Sequence, residues 1–234
     1  MKIGFFDSGV GGLFALKKFM SYDVECVYFA DTAHMPYGNK TYEQLLDRCT
    51  FIVYQLLKHD VSCIVIPCNT AIITLPELQK QFPLVRFVQA VDYTLEQAVS
   101  CAPKKIAVMA TQAVTDSGLY AHKIEKLGYE CVSIACPQLA TFVEKNDELG
   151  MSADVETYSA QIALDQQIDV LILGCTHYAR VKNALQKKLP TVHIVESDDH
   201  VDLVSKELQP GTARIQFIVS GDEQEFLEMV DTLL

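Results

Sequence analysis

Residues 169–177 read DVLILGCTH, and this stretch decides the fold. Val170, Leu171, Ile172 and Leu173 form an apolar run without polar alternation, closed by Gly174. Such a strand has both faces buried, the condition of a parallel sheet covered by helices on each side. The chain then turns polar within one residue, at Cys175-Thr176-His177. The same change occurs at residues 62–70, SCIVIPCNT, where Cys63–Pro67 lead into Cys68-Asn69-Thr70. Carboxyl ends of parallel strands are where open α/β sheets bind ligands. Both polar clusters therefore stand where chemistry is expected.

Working outward, the strand pattern recurs at Lys2–Phe6, Cys26–Ala30, Val85–Val91, Lys105–Met109, Cys131–Ala135, His193–Glu196 and Arg214–Ser220. Amphipathic stretches such as Tyr42–Leu57 and Ser152–Gln166 read as helices between them. The class is α/β. A faint repeat divides the chain: KIGFF at 2–6 leads to Asp7-Ser8-Gly9, and KIAVMA at 105–110 leads to Asp116-Ser117-Gly118. The paired strands are offset by 103 residues, and Cys68 and Cys175 by 107. Similar offsets point to duplicated halves joined near Tyr93–Ser100. Look-alike strands in any α/β protein would produce the same impression.

The 234 residues suffice for one large domain or two modest ones. Half are hydrophobic and 21% charged, an ordinary globular composition. A net charge of -11 argues against nucleic acid or an anionic membrane surface as partner, since both favour basic patches. No apolar run approaches the roughly 18 residues of a membrane span. Eight cysteines are scattered over the chain without the tight spacing of a disulfide framework, and the start, MKIGFF, is strand-like. The expectation is free thiols in a reducing cytoplasm.

Most cysteines are small buried hydrophobes, and Cys26, Cys63, Cys101 and Cys131 fit that description. Cys68 and Cys175 differ, because each is followed by polar residues at an equivalent strand end. A thiol there is partly exposed and can be drawn toward thiolate by a helix N-terminus. Zinc is the next rival, but Cys63 and Cys68 straddle a strand and would point to opposite faces. No CxxC is present, which disfavours thioredoxin-like chemistry. Asp7-Ser8-Gly9-Val10-Gly11-Gly12 lies between a strand and a helix from Leu13, so its amides offer an anion site. A tight turn explains the glycines as well. Met35-Pro36-Tyr37-Gly38 either adds a phenol and amides or is simply a turn. The run Glu196-Ser197-Asp198-Asp199 fits a solvated loop better than a metal site. His34, His59, His122, His193 and His200 read as surface or structural.

DSGVGG, ADTAHMPYG at 30–38, PCNTA at 67–71, CP with FVE at 136–144, LGCTHY at 173–178 and IVSGD at 218–222 occur in one order. In that combination the chain resembles the glutamate racemases of the aspartate/glutamate racemase superfamily over nearly its whole length. The resemblance implies two similar α/β domains, each a mostly parallel sheet flanked by helices, facing across a central cleft. Residues 1–93 with 199–234 would form the first and 94–198 the second. It implies Cys68 and Cys175 as opposed acid and base, with Asp7 assisting Cys68, and Glu144 and His177 assisting Cys175. Asp7, Ser8, Tyr37, Gly38, Asn69, Thr70, Thr176 and His177 would line the substrate. Cys68 would work on D-glutamate and Cys175 on L-glutamate, with no cofactor and no metal, in a cytoplasmic homodimer supplying D-glutamate for peptidoglycan.

Three departures bear on the substrate rather than on the thiols. Ile72 stands where the family has a small residue, Val114 where it has a threonine that helps hold substrate, and Gln89–Thr94 replaces a Gly-Val-Ile-Glu/Asp-Pro run. A racemase of aspartate or a related dicarboxylate, or a non-catalytic ligand-binding protein on a decayed racemase scaffold, are the competing readings.

Overall fold

The computed structural model describes residues 1–197 and 201–234. Asp198, Asp199 and His200, with the second half of the acidic run and the expected 198/199 boundary, lie outside the described residues. The chain divides into two compact units, Met1–Ala90 with Asp198–Leu234, and Val91–Ser197.

The first unit holds β1 (Lys2–Asp7), β2 (Glu25–Ala30), β3 (Cys63–Val65) and β4 (Phe87–Val88); the second holds β5 (Lys105–Ala110), β6 (Glu130–Ala135), β7 (Ile168–Gly174) and β8 (His193–Glu196). The last strand, β9 (Arg214–Val219), belongs to the first unit. The sheet orders are β4-β3-β1-β2-β9 and β6-β5-β7-β8, with every strand pair parallel. Read from its other edge, the second sheet runs β8-β7-β5-β6. That is the order β4-β3-β1-β2 again, each strand replaced by its counterpart four places later. The faint repeat of KIGFF and KIAVMA is therefore a repeat of topology, and β9 is an addition at the β2 edge.

Burial explains the unbroken apolar runs. Ile3, Phe5, Cys26 and Tyr28 face a core closed by Leu13, Leu16, Phe226 and Val230. On the opposite face, helix Tyr42–Leu57 packs against β1 and β2 with Leu45, Cys49, Ile52, Val53 and Leu56 inward. That helix opens on a capping box, in which Thr41 accepts from Gln44 N and Gln44 accepts from Thr41 N. In the second unit Met109, Leu171 and Leu173 pack under helices Leu139–Glu144 and Glu148–Ala163. Helix Val91–Ser100 covers β7 and β8.

Two elements differ from expectation. The strand expected at Val85–Val91 is only Phe87–Val88, because it pairs with just Ile64 and Val65. Val91 instead opens a helix whose buried positions, Val91, Thr94, Leu95 and Ala98, follow helical spacing. The helix expected from Ser152 begins at Glu148, because Asp147 caps it by accepting from Gly150 N at 3.0 Å. Among the described residues, no helix is long and apolar enough to cross a membrane.

Gly12 shows why the turn after β1 is glycine-rich. A Cβ there would lie 2.5 Å from the Tyr28 hydroxyl and 2.8 Å from Asp7 Cβ. Its φ of -69° suits any residue, so the constraint is space alone. Gly12→Ala is expected to cost about 1–3 kcal/mol, the range for overpacking a filled site. Urea unfolding of the two proteins checks this, and equal midpoints would refute the close fit.

Candidate active site

In each sheet the order reverses beside the first strand. The chain goes from β1 outward to β2, then back to β3 on the other side. The second unit does the same from β5 to β6 and back to β7. Crossovers diverge there and leave a crevice at the carboxyl ends, the usual ligand position in open α/β sheets. Asp7 ends β1 and Cys68 follows β3; Ala110 ends β5 and Cys175 follows β7. The two cysteines occupy equivalent strand ends.

Polar side chains are buried at these ends. Asp7, Ser8, Asp31, Asn69 and Thr70 are buried in the first unit, and Thr111, Thr176, His177 and Ser197 in the second. Burying polar groups is costly unless they are paired, so their concentration at strand ends marks a site rather than a core.

In the first unit, Cys68 is the N-cap of helix Asn69–Ile72, and its carbonyl accepts from Ile72 N at 3.1 Å. Its thiol thus lies at the end toward which the helix amides point. Asn69 and Thr70 form the buried first turn. Asp7 Oδ1 accepts from Gly9 N at 3.1 Å and from the Ser8 hydroxyl at 3.4 Å. The glycine-rich loop therefore spends its first free amide on Asp7 itself rather than on an external anion. The helix that follows, Leu13–Lys17, is only five residues long. The Tyr37 phenol is turned inward and donates to Asp31 Oδ2 at 2.6 Å. What the turn Tyr37–Asn39 offers outward is its backbone, with Gly38 half-buried.

In the second unit the structure joins three expected residues into one chain. Cys175 caps the 3-10 turn Thr176–Val181, and its Sγ lies 3.8 Å from His177 Nδ1. His177 Nε2 lies 2.7 Å from Glu144 Oε2, at the end of helix Leu139–Glu144. The Thr176 hydroxyl is 3.5 Å from the same Nδ1. Burial works against a charged imidazole, yet hydrogen bonds to Cys175 and Glu144 outweigh it and hold the His177 pKa well above 6.5. The arrangement permits a thiol proton to pass to Nδ1 while Glu144 stabilises the imidazolium.

Thr111, which the family motifs do not mark, stands at the same end of the sheet. It follows β5 directly, in register one step beyond the pair Ala110↔Gly174, and so stands level with Cys175. The signal lies in residues 111–117, TQAVTDS, where a threonine follows an apolar strand directly. Thr111 is the buried N-cap of helix Gln112–Ser117 and accepts from Val114 N at 3.4 Å. Val114 is buried, so its methyls fill the space that a threonine hydroxyl would share.

Residues 21–202 match the model of the Asp/Glu/Hydantoin racemase family, and the chain belongs to that family. It is similar to the glutamate racemase of Carboxydothermus hydrogenoformans, at 33% identity over 95% of this chain and 88% of the relative. The solved glutamate racemase of Thermus thermophilus, in complex with beta-chloro-D-alanine, superposes with a TM-score of 0.85 at 30% identity. It covers 99% of this chain and 92% of its own. That of Francisella tularensis subsp. tularensis, in complex with D-glutamate, gives 0.89 at 25% identity, over 100% and 93%. The resemblance read from DSGVGG, PYG, CNT and GCTHY thus holds for the family.

The raised His177 pKa has a stability consequence of definite sign. The native state holds this proton more tightly than the unfolded chain. The stabilisation is therefore complete below about pH 6.5 and is lost as pH rises through the folded-state value. The difference in Tm between the wild type and His177→Asn is expected to be largest near pH 6 and to narrow toward pH 10. A gap that stays constant or widens would refute the charged imidazole.

Proposed function

We propose that the protein interconverts L- and D-glutamate without a cofactor, using Cys68 and Cys175 as opposed acid and base. The observation that carries this reading is the chain Cys175–His177–Glu144 at one strand end, with Cys68 at the equivalent strand end of the repeated sheet. The full-length similarity to glutamate racemases supports glutamate as the substrate.

The reaction requires one thiol on each side of a single α-carbon. Starting from L-glutamate, Cys175 as thiolate takes the α-proton, and the Cys68 thiol delivers its own proton to the opposite face. Product D-glutamate leaves Cys175 as thiol and Cys68 as thiolate; the reverse reaction exchanges the roles. An ordinary thiol, with a pKa of roughly 8.5, is only a few per cent ionised at neutral pH. His177, held by Glu144, takes the Cys175 proton and makes the thiolate available. Asp7 serves Cys68 in the same way. The carbanion sits beside the substrate carboxylate, so it needs oriented donors and exclusion of water. Ser8, Asn69, Thr70, Thr176 and the amides around Tyr37 and Gly38 fill that role. The enzyme works in the cytoplasm as a homodimer and supplies D-glutamate for cell-wall peptidoglycan.

Val114 favours one second reading, a related dicarboxylate such as aspartate, because a missing hydroxyl weakens one contact to substrate.

Incubation with L-glutamate in deuterated water, without added cofactor, is expected to abolish optical activity while deuterium enters the α-carbon. Aspartate run in parallel decides the substrate. No exchange with either enantiomer of glutamate would sink the proposal. Cys68→Ala and Cys175→Ala are each expected to lose at least about a thousandfold in kcat. Glu144→Gln, which keeps the shape but not the charge, is expected to lose on the order of a hundredfold. Full racemisation by either alanine variant would overturn the two-thiol mechanism.

A further inference from the structure

The motifs ADTAHMPYG and IVSGD meet at one buried carboxylate that the mechanism above does not use. Asp31 is completely buried. Such a group is costly to desolvate unless its lone pairs are engaged. Its Oδ1 accepts from Arg48 Nη2 at 2.7 Å and lies 3.0 Å from His34 Nδ1. Its Oδ2 accepts from Arg48 Nε at 3.0 Å and from the Tyr37 hydroxyl at 2.6 Å. The Ser220 hydroxyl is a further partner. These groups come from four places in the fold: the turn Thr32–His34, the turn Tyr37–Asn39, helix Tyr42–Leu57 and the segment after β9.

The segment after β9 is itself bound to the same loop. Ser220 N donates to Ala30 O at 3.0 Å, the Ser220 hydroxyl accepts from Ala33 N at 3.1 Å, and Gly221 N donates to Thr32 Oγ1 at 3.1 Å. A Cβ on Gly221 would lie 2.6 Å from Thr32 Oγ1 and 3.0 Å from Ala33 N, so the approach needs glycine. What this knot holds in place is the turn carrying Tyr37 and Gly38, which packs on helix Asn69–Ile72, the helix capped by Cys68. Apolar packing would anchor a turn at least as stably, since replacing a buried ion pair by well-packed hydrophobic groups is often neutral or stabilising. A bidentate guanidinium on a carboxylate adds direction, and direction matters where backbone amides must meet a substrate.

We propose that Asp31 is a positioning residue of the Cys68 half-site, and that the Ser220-Gly221 segment belongs to the same device. The proposal rests on the reading of Cys68 as one of two proton-transfer thiols. Asp31, fixed by Arg48 and Ser220, orients Tyr37, and through it the turn that receives substrate beside Cys68.

The test compares the wild type with Asp31→Asn, Gly221→Ala and Arg48→Lys in the full chain. Three readouts are taken: KM and kcat with both glutamate enantiomers, hydrogen exchange of the 33–40 segment, and iodoacetamide alkylation of Cys68 relative to Cys175. Asp31→Asn and Gly221→Ala are expected to raise KM on the order of tenfold, with kcat changing less. Exchange at 33–40 speeds up, and the alkylation of Cys68 changes while that of Cys175 does not. Arg48→Lys, which keeps the charge but not the fork, falls between the wild type and Asp31→Asn. Unchanged KM with wild-type exchange would overturn the proposal. So would a kcat that falls in step with the folded fraction at constant KM, because that is loss of stability alone. If Asp31→Asn does not fold, Gly221→Ala decides, since it removes no charge. If the wild type fails to racemise glutamate, the racemase reading falls, while the exchange and alkylation results still decide the role of Asp31.

Discussion

An open parallel sheet offers a crevice for a reactive side chain where its strand order reverses, and both sheets of this protein reverse beside their first strand. On either side of that point the crossovers leave in opposite directions, so the strand ends are bare of covering helix. The backbone just before the crevice is buried on both faces and paired on both edges. A residue one to three positions further on inherits that rigidity while facing the opening. Cys68 and Cys175 both meet this condition, and the buried polar residues of each unit cluster around the same ends. The rest of the structure serves the constraint: apolar strands hold the sheet, and the helices on its faces keep water from the backbone.

The two strand ends are alike in topology and unlike in chemistry. After Cys175 comes Thr176-His177, and the imidazole is fixed between the thiol and Glu144. After Cys68 comes Asn69-Thr70, and the nearest acidic residue by register is Asp7, at the end of the adjacent strand. In the proposed reaction both thiols must approach similar basicity, since each acts as base in one direction and acid in the other. The repeated topology supplies the geometry twice, and in the proposed reaction each sulfur has a proton acceptor of its own. Helpers of different chemical type can serve equivalent positions because the strand ends fix where the sulfur sits.

Much of this was legible in the residues themselves. Continuous apolar runs ending in polar clusters identified the parallel strands and their functional ends, because burial on both faces leaves no other composition. Cys175 and His177 stood two residues apart, so their proximity was visible. Their link to Glu144 came only from the family motif, since nothing local in a helix end announces a partner 33 residues away. Asp31 had no visible role for the same reason: its partners come from four separate segments. Thr111 carries no motif mark in the sequence, because its place is set by register with β7. The strand at Val85–Val91 is shorter than its composition suggests, because β-branched composition does not reveal how few residues the neighbouring strand has left to pair.

The position of β9 has a consequence for how the molecule assembles. The second unit is built from one uninterrupted stretch, and its strand pairings close over modest distances along the chain. The first unit must wait for β9 to reach the edge of β2, across a separation of 189 residues between Glu25 and Arg214. Closing so long a loop has an entropic cost, and non-local pairing of this kind slows folding. During synthesis the second unit can therefore form on its own, while the first stays open at one sheet edge until β9 emerges. Because Ser220 and Gly221 follow that strand directly, the loop bearing Tyr37 acquires its last tether only then. The order of assembly thus makes the Cys68 half-site mature after the second unit.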